Sequence, residues 1–194
     1  MCQPTSLLAQ GASWALRATQ SGMCMPMKRK LSPAKQYAEF ENISIGNIVI
    51  HFGPAGLWVY ARAYARAAAA LPAPEKPFEP VRYYLACHSI ELSLKAYLTI
   101  HGATMLDLSE SAYGHKLEAI LIAADAKQLQ TLVPLTDEHR VEIVNASDYY
   151  AGKVFEYPAM GAAANAYPRL PNLDVLIAAA QLLVQTLELP CKEA

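Results

Sequence analysis

PVRYYLACHSIELSLKAYLTIHG, residues Pro80 to Gly102, is the stretch whose reading decides the fold. It reads as one helix with marked ends. Pro80 stands where a missing N–H is harmless, and Gly102 stands where a left-handed C-cap is wanted. At about 100° per residue, Leu85, Leu92, Ala96 and Thr99 share one side, and Tyr83, Ile90, Leu94 and Tyr97 share another. A helix that is apolar on two sides is packed from more than one direction, so this one is predicted to be central. Between the two sides runs a polar seam, Tyr84, His88, Glu91 and Lys95, at steps of four, three and four. Residues so spaced touch one another along a helix. Charged groups on a buried helix are costly unless paired and hydrogen-bonded, so the seam demands partners.

Working outward, the chain before the central helix holds a second strong pattern. Residues 55–71 form a helix in which Leu57, Tyr60, Tyr64, Ala68 and Leu71 recur at three- and four-residue steps, with Arg62 and Arg66 on another face. The Arg pair reads as a solvated face more readily than as a phosphate contact. Pro72, Pro74, Pro77 and Pro80 stiffen the connector that follows and forbid helix there. Residues 42–52, rich in Ile and Val and broken by Gly46 and Gly53-Pro54, read as a short strand, an extended arm or a helix start. Ser32-Pro33 opens a short helix over 34–41.

After Gly102, residues 104–109 read as a loop or a single helical turn. Tyr113-Gly114-His115-Lys116-Leu117 opens a helix to about Ala126, with Leu117, Ile120, Leu121 and Ala124 on its apolar face. Thr136-Asp137-Glu138 caps and charges the start of a helix that runs to Tyr149 or Tyr150 and ends at Ala151-Gly152. Val154 to Pro158 reads as extended, because Tyr157 precedes a proline. Residues 159–171 read as a surface loop. Asn172 caps a last helix with Leu173, Leu176, Ile177, Ala180, Leu183, Val184 and Leu187 facing inward.

The composition agrees with this count. The 194 residues are 54% hydrophobic and 17% charged, which fits one domain with a real core and excludes a disordered chain. Period-2 alternation is nearly absent, so a large sheet is excluded. The fold class is therefore all-α, an up-and-down bundle of about five helices over residues 31–194, preceded by a poorly determined N-terminal extension, residues 1–30. That extension lacks a basic start followed by a long apolar core, so a secretory signal is not expected. Met23, Met25 and Met27, just ahead of Lys28-Arg29-Lys30, mark an alternative start. A net charge of −1 offers no global basic field for nucleic acid. No apolar run approaches the roughly 20 residues of a membrane span, so no membrane partner is expected. Cys2, Cys24, Cys87 and Cys191 are scattered, which fits a reducing cytoplasm, with Cys87 as a small buried hydrophobe.

His88-x-x-Glu91-Leu92-x-Leu94-Lys95-Ala96, then Gly102, then Tyr113-Gly114-His115-x-Leu117 resembles the HEPN superfamily of helical domains (higher eukaryotes and prokaryotes nucleotide-binding). Tyr149-Tyr150 and Phe155-x-Tyr157-Pro158 are similar to the tail of HEPN-like proteins, and the resemblance spans residues 55–189. It implies a bundle of four or five helices that is often a homodimer. It also implies a role in toxin–antitoxin or phage-defence systems, either as a metal-independent ribonuclease or as a nucleotide- or RNA-binding partner of a nucleotidyltransferase or antitoxin. The active ribonucleases carry an Arg followed a few residues later by His on a later helix. Here no histidine follows His139, so Arg140 and Arg169 have no such partner. Arg82 and His88 have a permitted spacing but lie on the Glu91/Lys95 helix.

Three chemical readings of the seam follow. Glu91 and Lys95 form an i,i+4 pair in the favourable order, and His115 and Tyr113 are candidate partners from the next helix start. The first reading is a structural network that fixes how two helices dock, and with it goes a structural or assembly protein without a ligand. The second is a ligand site of Tyr84, His88, Glu91, Lys95, Tyr113 and His115, in which Lys95 meets an anion, the histidines move protons and Glu91 orients one of them. The third is a metal held by His88, Glu91 and His115. It is disfavoured because Lys95 repels a cation and no Glu-x-x-His pair is duplicated, so no metal and no cofactor is expected. Arg82 and His88 are the candidate catalytic pair of a ribonuclease.

Overall fold

The computed structural model describes residues 42–45, 48–51, 53–72, 78–109, 113–157, 167 and 169–194, all within the unit Leu31–Ala194. The N-terminal extension, the basic triplet, the helix expected at 34–41, Cys2, Cys24 and most of the 159–171 loop lie outside them. In chain order the elements are β1 (Asn42–Ile45), β2 (Ile48–His51), α1 (Pro54–Ala70), α2 (Pro80–Ile100), α3 (Met105–Ser109), α4 (Leu117–Ala126), α5 (Leu129–Leu132), α6 (Asp137–Ala151), α7 (Leu173–Thr186) and α8 (Glu188–Glu193). The class is all-α, with one antiparallel hairpin in which Asn42 faces His51 and Ile45 faces Ile48. The Ile- and Val-rich stretch that the sequence left open is therefore this hairpin.

The central helix is α2. Thirteen of its residues are buried, among them Ile90, Leu94 and Ala96 on different sides, because α1, α4, α6 and α7 all pack on it. Its end is the one Gly102 was expected to make. Gly102 has φ +89°, and the Gly102 and Ala103 N–H groups return to the Thr99 and Leu98 carbonyls, a Schellman closure.

Helix α1 runs antiparallel to α2. Ser89 donates to the Ala61 carbonyl at 2.8 Å, and Arg82 Nε donates to the Ala68 carbonyl at 3.2 Å. The inward face of α1 is Trp58, Ala61, Ala65 and Ala68, which corrects the face read from Tyr60 and Leu71. Tyr60 is 59% exposed. Small alanines let the two backbones approach, and Trp58 fills the end of the contact while its indole N–H donates to the Val184 carbonyl on α7 at 2.8 Å. Arg62 then lies over the Trp58 ring.

Two local readings differ from the structure. Tyr113 to His115 form a turn rather than the first residues of α4, which begins at Leu117. Gly114 has φ +40°, and the Lys116 N–H closes on the Tyr113 carbonyl at 2.7 Å, so the backbone cannot continue into the helix without reversing. Residues 152–156 are also turns rather than extended chain. Helix α6 ends at Ala151 with Gly152 as its C-cap, as expected, and the left-handed residue after the cap is Lys153: it has φ +58°, and the N–H groups of Lys153 and Val154 bond to the Tyr150 and Tyr149 carbonyls. This second Schellman closure turns Phe155 back into the core, where it stacks on Tyr83 with ring centres 5.0 Å apart. At the other end, Thr136 and His139 form the reciprocal cap that starts α6. Helix α4 lies antiparallel to α6, joined at its ends by Glu118 N–H to Ser147 Oγ and by Arg140 to Asp125.

Candidate functional site

The polar seam is buried and partnered. Glu91 is 2% exposed, and its two carboxylate oxygens are divided among side chains from three places. Oε1 accepts from Lys95 Nζ at 2.6 Å. Oε2 accepts from the Tyr150 hydroxyl at 2.5 Å and contacts His115 Nδ1 at 3.0 Å. His88 Nδ1 lies 3.5 Å from the same oxygen and 2.6 Å from the Tyr150 hydroxyl. Burial alone would raise the Glu91 pKa. The His88 contact, the charge and hydrogen bond of Lys95 and the Tyr150 hydrogen bond outweigh it and hold the carboxyl at about 2. The carboxylate is therefore ionised at neutral pH and can only accept hydrogen bonds.

Each partner is placed by the fold. His88, Glu91 and Lys95 share one stripe of α2. His115 comes from the Tyr113–Lys116 turn, and that turn is fastened by Lys95, whose Nζ also donates to the Gly114 carbonyl at 2.8 Å. The Lys95 ammonium thus ties two protein acceptors together. Tyr150 comes from the last turn of α6. Its pKa is pushed strongly upward, by burial first and by the neighbouring Glu91 carboxylate second, so it remains a phenol and a donor.

The rim is aromatic. The His88 ring stacks on Tyr84, 5.4 Å away at 12°, and meets Tyr64 of α1 edge-on at 4.5 Å. His115 meets Tyr150 edge-on at 5.7 Å. The His88 side chain is 19% exposed and that of His115 is 51% exposed, so both imidazoles sit where the buried carboxylate gives way to solvent. Tyr113 is half-buried against the core beside them.

The structure therefore brings together Tyr84, His88, Glu91, Lys95 and His115, with Tyr113 in the adjoining turn. Arg82 lies elsewhere. It is buried, its Nε bonds to the Ala68 carbonyl, and six helix positions put it roughly 120° round the helix from His88. The seam's reading missed Tyr150, Tyr64 and the Gly114 carbonyl. Tyr150 had a signal: with Ile143, Ala146 and Ser147 it completes the buried face of α6, and a phenol on a buried face requires a polar partner. Among the described residues, no three or more His, Cys, Asp or Glu side chains are arranged to hold a metal ion, and no helix is long and apolar enough to cross a membrane.

No family model matches this chain, and neither a curated protein nor a solved structure does.

Proposed function

We propose that the chain is a HEPN-like helical protein of the cytoplasm that binds a nucleotide or RNA on the face formed by Tyr64, Tyr84, His88, Tyr113 and His115. One observation carries this reading. Two partly exposed imidazoles are held by a single buried carboxylate, directly or through Tyr150, and tyrosine rings flank them. A purely structural ion pair needs only Glu91 and Lys95. The added histidines at the solvent boundary supply hydrogen bonding and proton transfer, and the tyrosines supply the stacking surface that unpaired bases use. With a net charge of −1, affinity comes from this local face and not from a global field. The resemblance places such a protein in a toxin–antitoxin or defence system beside an antitoxin or nucleotidyltransferase. Exposed Ile122, Val141 and Val144 on α4 and α6 are the apolar surface that a second copy would cover in a homodimer.

The test is titration of the pure protein at low salt, in EDTA, with short single-stranded RNA and with nucleotides. Binding is expected, weakened about tenfold or more in His115→Ala. The absence of binding by either ligand class overturns the proposal. The second reading is a metal-independent endoribonuclease, favoured by two imidazoles within 3.5 Å of one carboxylate oxygen. The same incubation reads it: RNA cleavage lost in His88→Ala supports a nuclease, and loss in Arg82→Ala as well restores the Arg82/His88 pair.

A further inference from the structure

We infer that Tyr150 is a positioning residue that fixes the tautomer of His88, and that His88 and His115 together present two bare Nε2 nitrogens to the 2′,3′-diol of a ribose. This inference rests on the reading of the face as a nucleotide- or RNA-binding surface and names the part of the ligand that the histidines take.

The proton count leads there. The ionised Glu91 carboxylate has no hydrogen to give, so the 2.5 Å contact with Tyr150 is made by the phenol's single proton. With that proton committed, the 2.6 Å contact between the Tyr150 oxygen and His88 Nδ1 needs a hydrogen on the imidazole. His115 Nδ1, 3.0 Å from Oε2, faces the same carboxylate and must also carry its hydrogen there. A neutral imidazole has one N–H. Both rings therefore keep Nδ1–H, and both Nε2 atoms hold a lone pair. These are two acceptors, one on each of two rings whose Nδ1 atoms approach one oxygen.

The cation within the cluster is already engaged, because Lys95 Nζ bonds Glu91 and the Gly114 carbonyl. In their neutral state the histidines thus ask for donors and not for a phosphate. Within a nucleotide the adjacent 2′- and 3′-hydroxyls offer two donors side by side on every ribonucleotide, whereas the guanine N1–H and N2–H edge offers them on one base only, and Tyr84 is stacked on His88. The ligand class is accordingly a free nucleotide or an RNA 3′ end with an intact diol, rather than the interior of an RNA chain.

Two measurements test this. Long-range 15N–1H NMR of the histidine rings, taken near pH 8 where free imidazole is neutral, should show Nδ1–H at both His88 and His115 in the unaltered protein. Nε2–H at His88 overturns the assignment without any variant. In Tyr150→Phe, which keeps the ring, the Nδ1–H share at His88 should fall, because only the longer 3.5 Å approach to Glu91 Oε2 remains, while His115 does not change. An unchanged His88 removes the positioning role of Tyr150. The second measurement titrates ribonucleoside 5′-monophosphates against their 2′-deoxy counterparts, with inorganic phosphate as competitor. About tenfold weaker binding of the deoxy forms is expected, with no competition from phosphate. Equal affinities, or displacement by phosphate, overturn the diol assignment. RNA binding that is unchanged when the 3′ end carries no 2′,3′-diol overturns it as well while leaving the wider reading intact. Absence of binding by nucleotides and RNA alike removes the wider reading too.

Discussion

Glu91 with its neighbours and Asp125 with Arg140 are both carboxylate–cation contacts that help lock helices together, yet they are built differently. Glu91 is almost fully buried and shares its oxygens among Lys95, Tyr150 and His115, with His88 close by. The Asp125 and Arg140 side chains are 31% and 24% exposed and meet at 2.5 Å on the margin between α4 and α6. The difference teaches where a charge specifies structure. Removed from water, a carboxylate is tolerated only when its acceptor sites are filled, so the Glu91 cluster dictates how α2, the 113–116 turn and α6 fit together. At the margin both side chains still meet water, although Asp125 Oδ1 is itself buried without a partner, so the second pair acts as a clip.

The largest effect that could break this comparison is Glu91→Gln. It leaves the Lys95 ammonium buried without its counter-charge and is expected to cost about 3–5 kcal/mol in urea unfolding. A loss below about 1 kcal/mol would put the two sites in the same class. Acid titration sharpens the contrast next. The Glu91 pKa is depressed in the folded state, from 4.5 to about 2. Its contribution is therefore complete above about pH 4.5 and is lost as pH falls through about 2. That loss is about 3 kcal/mol, read as a falling unfolding midpoint and absent in Glu91→Gln. Arg140→Ala should cost less than about 1 kcal/mol by the same measurement. The smallest effect is that of salt. Raising sodium chloride to about 1 M should erase most of the Arg140→Ala difference and leave that of Glu91→Gln nearly unchanged.

Much of this was legible in the residues. Pro80, Gly102, Thr136 and Asn172 announce helix ends through local backbone chemistry, and each holds in the structure. His88, Glu91 and Lys95 fall on one stripe by counting alone. What failed had non-local causes. The inward face of α1 depends on how closely alanines admit α2, which a count of large apolar residues misses. Residues 154–156 turn instead of extending, after a left-handed Lys153, and Phe155 returns to Tyr83. Tyr150 reaches Glu91 across 59 residues, and helical periodicity says nothing of such meetings. That Lys95 also reaches a backbone carbonyl, that of Gly114, is likewise a meeting that no count along the helix shows.

The separations of 24, 59 and 62 residues between Glu91 or His88 and their partners in the turn and in α6 carry a consequence for how the face comes into being. No contiguous fragment shorter than the span from α2 to the end of α6 contains the cluster. A nascent chain emerging α2-first holds an unescorted carboxylate until α6 arrives. The cluster is therefore completed only when α6 docks, and a chain cut short before α6 lacks it.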